Sequence, residues 1–121
     1  MRLLEYTDLH ATSLKGTHKA HYQKICDFLA RGDFAAAQVK KLISHENSHY
    51  YRAKLDDTNR LLFKLIQYQE EVCILLLEII ENHAYDKSRF LRGTAINSDK
   101  IINSSIKAFK TNQNLSNNNR F

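Results

Sequence analysis

The sequence predicts an α+β fold, and two features predict it. Residues 17–44 place apolar side chains at helical spacing around Gly32, and residues 50–80 break into three apolar runs separated by two short polar gaps. The gaps are Asp56-Asp57-Thr58-Asn59 and Gln69-Glu70-Glu71. Apolar runs of about 6 to 9 residues bounded by turn chemistry suit strands. Asn and Asp favour tight turns because their short side chains bond the nearby backbone. Helices followed by grouped strands imply an antiparallel sheet with helices on one face.

Taken in order, residues 2–6 (RLLEY) read as a short N-terminal strand. Residues 17–31 form a helix, with Tyr22, Ile25, Cys26, Phe28 and Leu29 as its apolar stripe. Gly32 stops it, because glycine adopts the left-handed conformation at little cost. Asp33 then caps a second helix over 34–44, with Phe34, Ala37, Val39, Leu42 and Ile43 facing the core. The two helices make a hairpin. A three-stranded antiparallel β-meander follows over 50–80, and 82–86 form a loop. A short C-terminal helix, 87–92, is closed by Gly93. Ser98 and Asp99 give a helix-capping signature, with Ile101, Ile102, Ile106 and Phe109 on one face. The domain therefore covers 1–93, a further helix lies within 94–110, and the Asn-rich segment 111–121 is expected to be disordered.

At 121 residues the chain forms one domain with a single modest core. The opening MRLLEYTDLH turns polar too soon for a secretory signal. The apolar run 72–80 is far shorter than the roughly 20 residues that span a bilayer. Cys26 and Cys73 both sit in apolar periodic contexts and read as reduced core thiols. These features point to the cytoplasm and away from a membrane. The net charge is +5, and the excess lies at the C-terminal end: Lys87, Arg89, Arg92, Lys100, Lys107, Lys110 and Arg120 are opposed only by Asp99. Such an excess attracts polyanions, although a solvated basic tail has the same composition.

His45-Glu46-Asn47-Ser48-His49 matches the zinc-protease pattern, in which histidines four apart on a helix share the ion. The context opposes it. Asn and Ser are poor helix residues, the segment lies between a helix and a strand, and no third ligand is designated. No metal or other cofactor is expected. His83 stands at the end of the last strand, close to Tyr85 and Lys87. It is either an acid–base group near neutral pH or a histidine bonded to a loop carbonyl. Arg52 and Lys54 share one face of their strand, and Arg60 and Lys64 share one face of the next. Register decides whether these pairs face the same way, since a one-residue slip exchanges the faces. If they converge with His83, Tyr85 and Lys87, they form a phosphate-binding surface beside a proton-transfer group. Cleavage of RNA through its own 2′-hydroxyl needs little else. The bland alternative is a set of solvated strand residues paired with Asp56, Asp57, Glu78 and Glu81.

Tyr51-Arg52-Ala53-Lys54-Leu55, Asn59-Arg60-Leu61-Leu62-Phe63, and the run 72–80 leading to His83 and Tyr85 resemble the RelE/ParE toxin superfamily. The likeness covers residues 1–92 in topology and 50–85 in motif. It implies a strand, a helical hairpin and a meander. It also implies a metal-independent endoribonuclease acting on mRNA at the ribosome, held in check by an antitoxin-like partner. In that branch His83, Tyr85 and Arg60 would be catalytic, and Arg52, Lys54, Lys64 and Lys87 would bind RNA phosphate. Tyr85 follows His83 more closely than is usual in the family. The gyrase-inhibiting branch shares the fold without RNA chemistry. Asn82, His83, Tyr85, Lys87, Phe90 and Leu91 also resemble a related module found ahead of UvrD-like helicase domains. That likeness implies a non-catalytic interaction or regulatory module, stand-alone or part of a larger protein.

Overall fold

The computed structural model describes residues 1–7, 9, 14–42 and 49–103. It is an α+β fold with a helix, α1 (Gly16–Ala30), and six strands: β1 (Leu3–Tyr6), β2 (Lys40–Lys41), β3 (Tyr50–Lys54), β4 (Arg60–Tyr68), β5 (Glu71–Ile80) and β6 (Ile101–Asn103). The strands form one sheet in the order β2-β3-β4-β5-β1-β6. All neighbours are antiparallel except β1 and β5, which run parallel. Three short 3-10 turns, Glu81–His83, Tyr85–Lys87 and Ser98–Lys100, lie between β5 and β6.

The middle of the sheet is buried on both faces, which is why β4 and β5 read as nearly continuous apolar runs. On one face Leu61, Phe63, Ile74 and Leu76 pack with Tyr22, Ile25 and Leu29 of α1. On the other, Leu4, Tyr6, Tyr50, Leu62, Cys73, Leu75, Leu77 and Ile80 pack with Phe90, while Tyr85, Leu91 and Ile96 flank them. Phe90 is 1% exposed, and its ring meets Tyr6 edge-on at 5.3 Å. Gln69 and Glu70 both have positive φ and make the tight β4–β5 turn, so Glu71 belongs to β5 and not to the gap. A bulge opposite Leu62 and Phe63 adds one residue to β5. It brings Leu77 and Glu78 to the same side of the sheet.

The helix ends where the sequence predicts. Gly32 takes φ +75°, its N–H donates to Leu29 O, and the Asp33 N–H donates to Phe28 O at 2.8 Å. This is a Schellman closure. The predicted second helix, and with it the hairpin, does not form. Asp33 Oδ1 accepts from the Ala36 N–H at 3.1 Å, as a cap would, but the turn closes at Gln38, with φ +52°. Lys40 and Lys41 then pair with Arg52 and Tyr51 as an edge strand. Val39 packs on the α1 side of the sheet and Leu42 on the opposite side. A helix would place them on one stripe, whereas a strand can deliver each to a different core.

The helices expected at 87–92 and from 98 onward are also replaced. Residues 85–93 form a 3-10 turn and a turn that seat Phe90 on the sheet. Asn97, not Ser98, accepts from the Asp99 N–H. Ile101 and Ile102 then pair with β1, with Tyr6 opposite Ile101 and Glu5 opposite Ile102. β1 would otherwise leave an edge of unpaired backbone groups, and two isoleucines suit a strand there. The remainder of the expected 94–110 helix and the 111–121 tail lie outside the described residues.

Phe90 is the apolar anchor of a segment with little regular structure. Phe90→Ala is expected to cost about 3–5 kcal/mol, read as a lower urea midpoint with an unchanged denaturant slope. An effect below about 1 kcal/mol would show that 81–97 is not a cooperative part of the fold.

Candidate functional site

Register answers the question that the turn residues leave open. Tyr50 lies opposite Lys64, Arg52 opposite Leu62 and Lys54 opposite Arg60, while Lys40 lies opposite Arg52. Directly paired residues share a face, so Lys40, Arg52, Lys54, Arg60 and Lys64 all stand on the face away from α1. Two like-charge pairs, Lys40–Arg52 and Lys54–Arg60, are therefore adjacent across strands. Such pairs are destabilising unless something offsets the repulsion.

The offsets differ. Arg60 is 9% exposed, and its Nη1 donates to Asp56 O at 2.6 Å and Asn59 O at 3.0 Å. Its guanidinium fastens the β3–β4 turn. Arg52 Nη1 donates to Gln38 O at 3.2 Å, and Lys54 Nζ lies 3.7 Å from Asp57 Oδ1. Lys64 Nζ sits 5.0 Å from the Tyr50 ring centre. Asp57 is 99% exposed, so its pairing with Lys54 is weak and easily exchanged for another anion. Arg52, Lys54 and Lys64 all remain partly exposed.

The β3–β4 turn is organised by Asp56. Its Oδ1 accepts from the Thr58 N–H at 2.9 Å and the Asn59 N–H at 2.8 Å, and its Oδ2 accepts from Asn59 Nδ2 at 3.2 Å. From α1, His18 Nδ1 approaches Oδ2 at 3.4 Å. Partial burial alone would raise the Asp56 carboxyl, but the Thr58 and Asn59 donors prevail and hold it at about 2, below its ordinary 3.8.

The far side of this turn receives the end of β5. The His83 N–H donates to Thr58 O at 3.2 Å, the His83 ring Nε2 lies 3.1 Å from Asp57 O, and the Asn82 N–H donates to Asn59 Oδ1 at 3.3 Å. Asn82 and His83 both have positive φ. The structure thus brings His83 to the turn that joins Lys54 to Arg60, with its ring exposed and bonded to a loop carbonyl. Tyr85 is partly buried and packs against the second core, so its ring is used in covering the sheet. Lys87 is exposed and lines a cleft of about 250 Å³ with Glu78, Glu81, Asn82 and Ser88. Ser88 is 2% exposed, and its hydroxyl donates to the Glu78 carboxylate.

Other groups escaped sequence reasoning. The turn at Asp56 follows from Asp-Asp-Thr-Asn, but the approach of His18 from α1 to the same carboxylate had no signal in the sequence. Tyr22 Oη donates to Glu5 Oε2 at 2.8 Å beneath α1, and burial raises the Tyr22 hydroxyl well above its usual range. Burial likewise pushes the neighbouring Cys26 thiol up to about 12, against a lowering bond to Tyr22. Tyr22 and Cys26 are therefore both neutral at ordinary pH. His21, on α1, has its ring Nδ1 buried without a partner among the described residues. Residues 45–48 of the zinc-protease match lie outside the described residues. Among the described residues, no group of three or more His, Cys, Asp and Glu side chains is arranged to hold a metal ion.

Asp56→Ala removes the hub, and at pH 7 it is expected to cost about 0.5–2 kcal/mol, as loss of a capping side chain does. The folded carboxyl is harder to protonate than the unfolded one. Its contribution is thus complete above about pH 4 and fades as pH falls through about 2. The stability gap between the parent and Asp56→Ala, measured by urea unfolding, should narrow over that window; a constant gap would contradict the hub role. No helix among the described residues is long and apolar enough to cross a membrane. No family model, curated protein or solved structure matches this chain.

Proposed function

We propose that the chain is an RNA-binding domain of the RelE type that holds RNA phosphates on the face formed by β2, β3 and β4. One observation carries the reading: register gathers Lys40, Arg52, Lys54 and Lys64 on a single sheet face. Uncompensated like charges side by side reduce stability, and a bound polyanion removes that repulsion. Arg52 presents a planar guanidinium suited to bidentate phosphate contact, and the lysines act as point charges. The choice of RNA over other polyanions rests on the resemblance of residues 50–85 to the RelE/ParE superfamily. RNA is taken either free or within the ribosome. Arg60 serves by holding the turn and so the positions of Lys54 and His83.

A second reading, RNA cleavage without a metal, is favoured by the exposed His83 ring beside the Lys54 turn. Histidine can take the 2′-hydroxyl proton near neutral pH. A neighbouring lysine would stabilise the charge that develops on phosphate. The ring would have to exchange its bond to Asp57 O for the substrate, which an exposed single bond permits.

Arg52→Ala/Lys54→Ala/Lys64→Ala should weaken single-stranded RNA binding and flatten its salt dependence by about two units of log–log slope, at roughly 0.7 per phosphate contact. An unchanged slope would place the RNA elsewhere. His83→Ala should leave RNA affinity intact. If cleavage operates, the same variant lowers the rate of new 5′-end formation by about 10²–10⁴-fold. The absence of any cleavage by the parent chain would leave a binding domain alone.

A further inference from the structure

We infer that the cleft at the end of β5 is a base pocket selective for guanine; this rests on the RNA reading and names the base that the site takes. The cleft holds about 250 Å³ and is lined by Glu78, Glu81, Asn82, Lys87 and Ser88, with Ile79, Ile80 and Ala84 completing the wall. Sites for drug-sized ligands run from about 300 to 1,000 Å³, so this cleft accommodates one base and not a longer stretch of chain. Asn82 precedes His83, which bonds the carbonyl of Asp57, and the Asp57 carboxylate pairs with Lys54. Asn82, in the wall of the cleft, is thus next to the turn that carries Lys54.

Its chemistry is selective. Glu78 is partly buried and receives the buried Ser88 hydroxyl. Among the described residues it has no ion-pair partner. A carboxylate has about four lone-pair sites, so one hydroxyl donor leaves most of its accepting capacity open toward the cleft. Ser88 also fixes its orientation, since the same hydroxyl accepts from the Leu91 N–H at 3.3 Å. Guanine presents two adjacent donors on its Watson–Crick edge, the ring N1–H and the exocyclic N2–H₂, and these match one carboxylate. Its O6 and N7 are acceptors, which the Lys87 ammonium and the Asn82 amide can serve. Adenine would turn the N1 lone pair toward the carboxylate. Uracil and cytosine each offer a donor flanked by an acceptor there. Unstacked RNA bases are commonly read on these edges. A site built from oriented polar groups rejects analogues that leave them unpaired.

The test is equilibrium dialysis of the full chain against 5′-GMP, 5′-IMP and 5′-AMP at one ionic strength. All three carry the same phosphate, so only the base differs. GMP is expected to bind about tenfold or more tightly than AMP and IMP, IMP lacking the N2 amino group. Glu78→Gln should abolish that preference while the chain remains folded by circular dichroism. Equal affinities, no binding of any nucleotide, or a preference that survives Glu78→Gln would overturn the inference. If Glu78→Gln does not fold, the comparison of GMP with IMP on the unaltered chain decides. A GMP preference without RNA binding would overturn the RNA reading and leave the pocket standing. RNA binding without a GMP preference would do the reverse.

Discussion

The β4–β5 hairpin has to be covered on both faces, and the rest of the molecule follows from that. Leu61, Leu62 and Phe63 are consecutive and all essentially buried, as are Cys73, Ile74, Leu75, Leu76 and Leu77. Alternation sends neighbours along a strand to opposite sides, so two covering layers are needed. A 15-residue helix supplies one. The other comes from the chain after β5, which reverses through short 3-10 turns and lays Phe90 against Tyr6. Exposing either face would put several large apolar side chains into water, at roughly 1.5–3 kcal/mol each. Both layers are therefore required by the same hairpin.

That requirement also places the candidate site. To reach the face away from α1, the chain must turn sharply after Ile80, and it does so with Asn82 and His83 at positive φ. Asparagine and histidine are among the non-glycine residues that adopt this conformation most readily. The reversal docks on the β3–β4 turn through Thr58 O, Asp57 O and Asn59 Oδ1. Asp56 organises the turn from within, and Arg60 fastens it through backbone carbonyls. His83 thus owes its position beside Lys54 to the covering of the sheet. The cleft between Glu78 and Lys87 is the space left under the same reversal.

How much of this was legible in the sequence depends on how local the determinant is. The end of α1 at Gly32 and the turn at Asp56 were legible, because each is set by a backbone preference within a few residues. Residues 34–42 depart from the helix that their spacing predicts for the opposite reason. Their apolar spacing fits a helix, but Val39 and Leu42 serve different cores, and this becomes visible only once the sheet exists. Ile101 and Ile102 likewise look helical until the open edge of β1 offers them a partner. In the site, the residue types on β3 and β4 were legible while their shared face was not. Face sharing depends on cross-strand register, and the bulge beside Leu77 depends on it as well.

The cationic face makes a stronger argument for binding than its composition does. A basic side chain can lie anywhere on a surface without consequence, and scattered lysines mainly maintain solubility. Lys40 opposite Arg52 and Lys54 opposite Arg60 are different, because each pair lowers the stability of its own strand pairing. Arg60 is quenched by carbonyls within its turn, which is a structural solution to the repulsion. For Lys54 the observed neighbour is Asp57, a carboxylate that is 99% exposed and holds little of the charge in place. Lys40 is exposed, and Arg52 has a backbone carbonyl in place of an anion. Strand pairing thus leaves part of its repulsion uncompensated on the face that His83 adjoins, and an anion bound there would relieve it.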